Sequence, residues 1–456
     1  MQADFIIIGT GQAGIPLATR LARAGNQVLI AERAQLGGTC TNYGCTPTKT
    51  MVASARAAHV ARTSARLGVH TGTVRVDFGA VIDRKNAIVQ GWRKEIRKRL
   101  NALGNRLTLL EGHARFVGER EVDVSGQRYS AKTVIINVGA RPIIPALPGL
   151  ESIRWLDNTR LMELRSLPAH LVILGGGYIG CEFGQMFRRF GSDVTIVDRN
   201  PHLLSREDPE VSTEIEKVFR SEGIRLELES VVQQVSGDDG EIRVKLEQGT
   251  EVRGSQLLVA TGRRPNTDDL GCSTAGVRLD ENGFVIVDEH YRTSAPDIYA
   301  VGDATRQPQF THTAWDDHRI LFDLLMDRGR RSRTGRVIPY TVFTDPQVAG
   351  VGVTEKEARA RGIAYEVASM PFGHIARAIE VDETAGVLKI LIDPKSERIL
   401  GAVIVGAEAG ELIHVLSTLM QAQVSVRPIV DGEYVHPTFS EGLQTLVMNL
   451  KRFSLD

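Results

Sequence analysis

The residues best placed to do chemistry are Cys40 and Cys45, which four residues separate in the stretch Gly37-Gly38-Thr39-Cys40-Thr41-Asn42-Tyr43-Gly44-Cys45-Thr46-Pro47-Thr48-Lys49. Pro47 and Lys49 open what reads as a helix running to Ala61, so the pair is expected at a helix N-terminus. Backbone N–H groups and the helix dipole stabilise a thiolate there, and the thiolate is the reactive form of cysteine. Zinc is the competing use of two close cysteines, but it needs two more ligands, and Cys181 and Cys272 fall in unrelated segments. Both of these read as small buried hydrophobes. The expectation is one redox pair and no metal site, in a reducing and cytoplasmic setting.

A thiol pair needs a source of electrons, and the flanking sequence supplies two dinucleotide units. Phe5 to Ile8, the glycines Gly9, Gly11 and Gly14, an Ala- and Leu-rich stretch to Ala24, and Gln27 to Ala31 ending at Glu32 read as strand, glycine turn, helix, strand and acid. The order returns at Leu171 to Leu174 with Gly175, Gly177 and Gly180, a helix through Phe190, and Asp193 to Val197 ending at Asp198. In each copy the first glycine permits a tight turn, the second lets backbone approach a pyrophosphate, and the third packs helix against strand. Glu32 and Asp198 can each accept hydrogen bonds from a ribose diol. Arg199, next to Asp198, could instead pair with a 2′-phosphate, so NADH and NADPH both stand.

Between the copies, Phe78 to Leu103 has helical periodicity, and its run Arg93, Lys94, Glu95, Arg97, Lys98, Arg99 reads as a solvated face rather than a nucleic-acid patch. Strands are expected at Leu107 to Glu111 and Val134 to Val138, with turn-rich crossovers at Gly139 to Gly149 and Val259 to Pro265. Asp297 to Asp303 reads as a strand ending at Gly302 and Asp303. From about Ile338 alternating segments (Val348 to Val353, Gly386 to Ile392, Ile399 to Val405) and helices at Glu408 to Ala422 and Glu441 to Asn449 indicate an α+β domain over an antiparallel sheet. The expected fold class is α/β, with two Rossmann-like domains and this third one. The boundaries fall at 1–147 and 266–335 for the first nucleotide domain, 148–265 for the second and 336–456 for the last.

Composition narrows the partners. Lys+Arg 55 balance Asp+Glu 55, which leaves no global field to draw the chain onto nucleic acid or an anionic membrane. No apolar run approaches the roughly 18 residues of a membrane span, and a strand begins at Phe5.

Taken in order, GTGQAG with Glu32, GGTCTNYGCTPTK, GGGYIG, ATGRRPN, AVGD and HPTFSE resemble the FAD-dependent pyridine nucleotide–disulfide oxidoreductases, the family of lipoamide dehydrogenase, glutathione reductase and mercuric reductase. The resemblance covers nearly the whole chain. It implies FAD at Gly9, Gly11, Gly14, Glu32, Gly38, Thr39, Gly139, Gly302 and Asp303. It implies NADPH or NADH at Gly175, Gly177, Gly180, Asp198, Arg199 and Gly262. Carried over position by position, Cys45 is the thiol beside the flavin and Cys40 the interchange thiol that attacks substrate. Lys49 is the cation that polarises the reduced flavin, and Glu182 the acid that pairs with it near the nicotinamide. His436 and Glu441 match the acid/base dyad, which in the family reaches the cysteines of the other subunit and so implies a homodimer.

Departures limit the substrate. The C-terminal cysteine pair usual in mercuric reductases is missing from Lys451-Arg452-Phe453-Ser454-Leu455-Asp456, while His436, which those enzymes tend to lose, is kept. Thr19 stands where glutathione reductases carry an arginine, and Tyr43 and Thr46 stand where lipoamide dehydrogenases have small or aliphatic residues. Pro308 to Ile320 is most similar to the mercuric reductase-like branch. The leading expectation is reduction of a small disulfide or thiol-reactive oxidant. Behind it come a mercuric or cupric ion reductase, dihydrolipoamide dehydrogenase and, outside catalysis, a redox-sensing flavoprotein.

Overall fold

The computed structural model describes residues 2–238, 240–327, 329 and 331–453. The chain divides into two compact units, one of Met1–Thr50, Ala80–Ile143 and Gly262–Gly335, the other of Met51–Gly79, Ile144–Thr261 and Arg336–Asp456.

The first unit is built on a sheet of seven strands among the described residues. Strand Gln2–Ile8 lies between Val28–Glu32 and Gln127–Ile136, parallel to both. Its apolar residues alternate between two cores, as a strand buried on both faces requires. Phe5 and Ile7 pack with Leu17 and Leu21 of helix Gly14–Arg23, while Ile6 and Ile8 join Val122, Val134 and Ile298 on the other side. Leu107–Glu111 extends one edge, and the hairpin strands Ala114–Phe116 and Glu121–Val124 extend the other. The glycine loop after Ile8 therefore opens at the carboxyl end of a central strand, where the neighbours on its two sides diverge. Ligands bind open α/β sheets at this switch point.

The second unit repeats the arrangement. Strands Arg225–Glu227, Asp193–Val197, His170–Leu174 and Gln256–Val259 form a parallel sheet in that order, with helix Tyr178–Phe190 following the central strand. Three antiparallel strands, Val232–Asp238, Glu241–Leu246 and Glu251–Gly254, share its core through Val235, Ile242, Val244 and Val252. An antiparallel sheet of Tyr340–Val342, Gln347–Gly352, Ile399–Gly406, Val387–Ile392 and Glu366–Pro371 follows, covered by helices Ala409–Ala422 and Glu441–Met448. This is the expected class: two Rossmann-like sheets and a C-terminal α+β layer.

Two sequence expectations change. The thiols do not share one helix start: Cys40 lies in the short helix Gly38–Asn42, and only Cys45 begins the longer helix Cys45–Thr63. The break falls at Gly44, whose carbonyl accepts the Thr48 N–H at 3.0 Å. The strand before Asp303 is shorter than expected. It ends at Ala300, and Asp303 sits in the 3-10 turn Gly302–Ala304.

Candidate active site

The two glycine loops have nearly the same backbone. Gly9 and Gly175 adopt φ of +105° and +108°, and a Cβ on either would strike the carbonyl of the residue just after a neighbouring strand, Asn137 or Ala260. Only glycine meets both demands. Gly14 and Gly180 hold their helices so close that a Cβ would collide with the carbonyls of Gly9 and Gly175. No atom lies within 4 Å of the Cβ position at Gly177, and helix Tyr178–Phe190 has no side-chain cap there. An uncapped helix N-terminus with open space before it suits a pyrophosphate. The acids also correspond. Glu32 accepts from the N–H of Thr10 at 3.1 Å and of Ala34 at 2.9 Å. Asp198 accepts from the N–H of Gly176 at 2.5 Å and of Asn200 at 2.8 Å. Each carboxylate is thus fixed against its own loop, at the position where a ribose would meet it. Arg199 is exposed beside Asp198. These residues fit the two dinucleotides that the sequence implies.

The thiol segment is tied to the first loop. Gly37 donates its N–H to Thr10 Oγ1 at 3.2 Å, and the Thr10 hydroxyl donates onward to Glu32. Gly38, at φ +62°, approaches so closely that a Cβ would lie 2.7 Å from Gly11 Cα. Thr39, half-buried, accepts the Tyr43 N–H on its carbonyl at 2.8 Å and so closes the short helix that carries Cys40. Asn42 clamps the bend, donating from Nδ2 to the carbonyls of Leu36 and Gly38 at 2.9 Å. Its Oδ1 accepts from Arg93 Nε, so this arginine is half-buried and structural rather than one of a solvated row.

Cys40 hydrogen-bonds to Cys45. That bond and burial push the Cys40 thiol far above its ordinary range, with the Thr311 hydroxyl and Lys49 opposing. Cys45 Sγ lies 3.0 Å from Thr311 Oγ1. Lys49 is half-buried one turn along the same helix.

A third loop completes the first unit's site. Gly302 donates to Asp317 Oδ2 at 2.8 Å, joined there by Gln307 Nε2 at 2.6 Å, while Tyr291 donates its hydroxyl to Oδ1 at 2.7 Å. Asp317 is fully buried. Asn137 donates to the Gly9 carbonyl at 3.0 Å, and its Oδ1 lies 3.2 Å from a Cβ position at Gly302, which places it between two loops. Burial raises the Asp303 carboxyl, opposed by Arg263. Gly139, at φ +67°, faces open space and accepts the Asn266 N–H at 3.0 Å, and Gly262 accepts the Ile143 N–H at 2.9 Å.

In the second unit, Glu182 is buried and accepts the Phe343 N–H at 2.9 Å. His436 is exposed, and its Nδ1 donates to Glu441 Oε2 at 2.9 Å. Glu441 is the first residue of its helix, where the dipole favours a carboxylate. With Nδ1–H committed, Nε2 is left to take or give a proton. Cys181 and Cys272 are buried, as expected. Thr311, Asp317, Asn137 and Asn42 carry no role in the sequence reading. Asn42 lay inside the thiol motif, and Thr311 and Asp317 inside the stretch Pro308 to Ile320.

Two dinucleotide cradles, a hydrogen-bonded thiol pair locked to one of them and a His–Glu dyad define a two-nucleotide thiol–disulfide oxidoreductase. The pyridine nucleotide-disulphide oxidoreductase family matches residues 3–317, and the dimerisation domain of that family matches residues 338–447. Curated relatives include the probable pyridine nucleotide-disulfide oxidoreductase RclA of Escherichia coli, 36% identical over 98% of this chain and 99% of its own. A mercuric reductase of Lysinibacillus sphaericus is 34% identical over 98% of this chain and 83% of its own. Among solved structures, the Cu(II) complex of the HOCl-induced flavoprotein disulfide reductase RclA from Escherichia coli superposes with a TM-score of 0.90, at 35% identity over 98% of this chain and 99% of that one. The chain belongs to the pyridine nucleotide-disulphide oxidoreductase family. It is an FAD-dependent oxidoreductase that uses NAD(P)H, and it forms a homodimer through its dimerisation domain. No helix among the described residues is long and apolar enough to cross a membrane.

Proposed function

We propose that the protein carries electrons from NAD(P)H through FAD to a Cys40–Cys45 disulfide and on to a small disulfide or thiol-reactive oxidant, in the cytoplasm. The observation that supports this most is the thiol pair itself, hydrogen-bonded sulfur to sulfur in a segment whose Gly38 packs on Gly11 of the first glycine loop. In this reading residues 1–147 and 266–335 hold FAD, 148–265 hold NAD(P)H and 336–456 form the dimer. Gly9, Gly11, Gly14, Glu32, Gly38, Thr39, Gly139, Gly302 and Asp303 bind FAD. Gly175, Gly177, Gly180, Asp198, Arg199 and Gly262 bind the nicotinamide nucleotide. Bound FAD supplies the two-electron relay between nicotinamide and disulfide.

The thiols then act by exchange. Cys40, as thiolate, attacks one sulfur of the acceptor and forms a mixed disulfide, releasing the first thiolate. His436, held through Nδ1 by Glu441, gives that leaving group its proton from Nε2. Cys45 attacks Cys40 Sγ, restores the internal disulfide and releases the second thiol. The dyad serves the thiol pair of the other subunit, so the active site is shared across the dimer. Lys49 is assigned to polarising the reduced flavin and Glu182 to the nicotinamide end.

The test is turnover with a panel of small disulfides, using NADH and NADPH in turn. Disulfide-dependent oxidation of either nucleotide is expected. Metal ions are the second reading, favoured because the related RclA was solved as a Cu(II) complex. Oxidation of NAD(P)H driven by Cu(II) or Hg(II), with no response to any disulfide, would replace the first reading by the second.

A further inference from the structure

Lys389 stands on strand Val387–Ile392 of the antiparallel sheet with its side chain 2% exposed, and three carboxylates close around its ammonium. Nζ donates to Asp208 Oδ2 at 3.0 Å and also to Glu210 and Glu355. One oxygen of each acid lies within 4.8 Å of the others. Burial works against the Glu355 carboxylate, yet bonds from Lys389, Tyr365 and Arg359 hold its pKa down to about 2, so it faces its neighbours as an anion. Without a cation these charges repel at close range, away from bulk water. Asp208 has a second task, since its oxygens accept the N–H of Glu355 at 3.0 Å and of Lys356 at 2.9 Å, the first two residues of helix Glu355–Ala360.

Asp208 ends the segment 198–208 that joins strand Asp193–Val197 to helix Pro209–Ser221, and this segment folds back on the second glycine loop. Leu204 donates its N–H to the Gly176 carbonyl at 2.9 Å, and a Cβ on Gly176 would lie 2.5 Å from Leu203 Cδ2. Leu204 sits at φ +50°, which a bulky residue adopts only when its surroundings hold it there. Buried Glu207 accepts the hydroxyls of Tyr178 at 2.8 Å and Tyr340 at 2.5 Å. Tyr178 opens the helix that follows Gly177, whereas Tyr340 belongs to the antiparallel sheet. Lys356 Nζ adds a bond to the Ser205 carbonyl at 2.9 Å. The dimerisation domain thus grips the segment at Ser205, Glu207 and Asp208, and the segment in turn grips the loop at Gly176 and Tyr178.

We infer that Lys389 positions the nicotinamide-nucleotide loop from behind: by neutralising Asp208, Glu210 and Glu355 it keeps residues 203–208 seated against Gly176 and Tyr178. It is a positioning residue, since it reaches the nucleotide only through Asp208 and Glu207. The dimerisation domain thereby sets nucleotide affinity as well as joining subunits. This rests on the reading that Gly175, Gly177 and Gly180 cradle NAD(P)H.

The test is the Kd of the oxidised holoenzyme for NAD(P)+ by titration calorimetry, paired with anaerobic stopped-flow bleaching of the flavin, which separates half-saturation by NAD(P)H from the limiting rate. Lys389→Met keeps the apolar stem and removes the charge. Kd and half-saturation should rise by about tenfold or more, while the limiting rate, the flavin content and the KM for disulfide stay within about twofold. Tyr340→Phe loosens one grip without stranding a buried charge, and should weaken the nucleotide by about threefold. If the methionine variant folds poorly, Tyr340→Phe decides: unchanged affinity there overturns the inference. Asp198→Ala reports on the cradle itself. Weakened binding in Asp198→Ala with wild-type affinity in Lys389→Met and Tyr340→Phe overturns this inference alone, and wild-type affinity in all three overturns the cradle reading with it.

Discussion

Asp317 offers a graded test of how the site is held. It is fully buried, and three donors converge on its carboxylate: Tyr291 Oη at 2.7 Å, Gly302 N at 2.8 Å and Gln307 Nε2 at 2.6 Å. Two of these, Gly302 and Gln307, share Oδ2, which an asparagine carbonyl with its two lone pairs can still serve. Its amide would then face Tyr291, whose hydroxyl oxygen can accept instead of donate. Asp317→Asn should therefore cost about 1–2 kcal/mol, the loss of charge assistance. Asp317→Ala takes the acceptor from the buried Gly302 N–H and removes the charge-assisted bonds from Tyr291 and Gln307 together, and the cost rises to about 3–5 kcal/mol. If the Gly302 turn must be ordered for FAD to bind, those costs appear in affinity at about 1.4 kcal/mol per tenfold. Flavin-fluorescence titration of the apoprotein should then show about a tenfold weakening for Asn and at least a hundredfold for Ala. Equal affinities for wild type and Asp317→Ala would refute the argument that Asp317 holds this turn. Equal losses for Asn and Ala would show that charge, not donor satisfaction, matters.

Three further outcomes follow from single contacts. Gly38→Ala must relieve both a φ of +62° and a Cβ 2.7 Å from Gly11 Cα, so purified protein should carry markedly less flavin per chain, read from its visible absorbance. Glu441→Gln keeps the shape but removes the charge that orients His436, and disulfide turnover should fall by roughly 10²–10⁴-fold while NAD(P)H still bleaches the flavin in stopped-flow. Burial, with Arg20 nearby, pushes the His318 imidazole down to about 4. That lies below its unfolded value of about 6.5, so the unfolded chain takes up the proton first and stability falls as pH drops through this window. The loss should reach about 2–3 kcal/mol by pH 4, and urea midpoints of His318→Phe should be flatter there than those of wild type.

What could be read before the structure was local and repetitive. The two glycine turns, each between an apolar strand and an amphipathic helix, place themselves, because a phosphate turn is made by consecutive residues. The antiparallel sheet after Ile338 was legible for the same reason, in its alternation. The hairpin and long strand over 121–136 were visible only at Val134 to Ile136, since Gln127 to Thr133 is mostly polar. The helix break at Gly44 escaped because a proline and a lysine downstream mark a helix but not its first residue. Thr311 and Asp317 escaped for a deeper reason. Their partners lie 266 and 10 to 26 residues away, and nothing in PQFTHTAWDDHRI says which face of the helix meets the thiols. Arg93 sits in a run whose other arginines make exposed pairs, Arg97 with Glu111 and Arg99 with Glu95. Only the fold singles it out for Asn42.

The most direct test of the central claim is Cys40→Ser in the holoenzyme, measured in parallel for flavin reduction by NAD(P)H and for turnover with the best disulfide of the panel. Flavin bleaching should persist near the wild-type rate, because the nucleotide cradles and Cys45 are intact, while disulfide turnover should drop to background. Disulfide reduction at the wild-type rate would contradict the account, since electrons would then reach the acceptor without passing through Cys40.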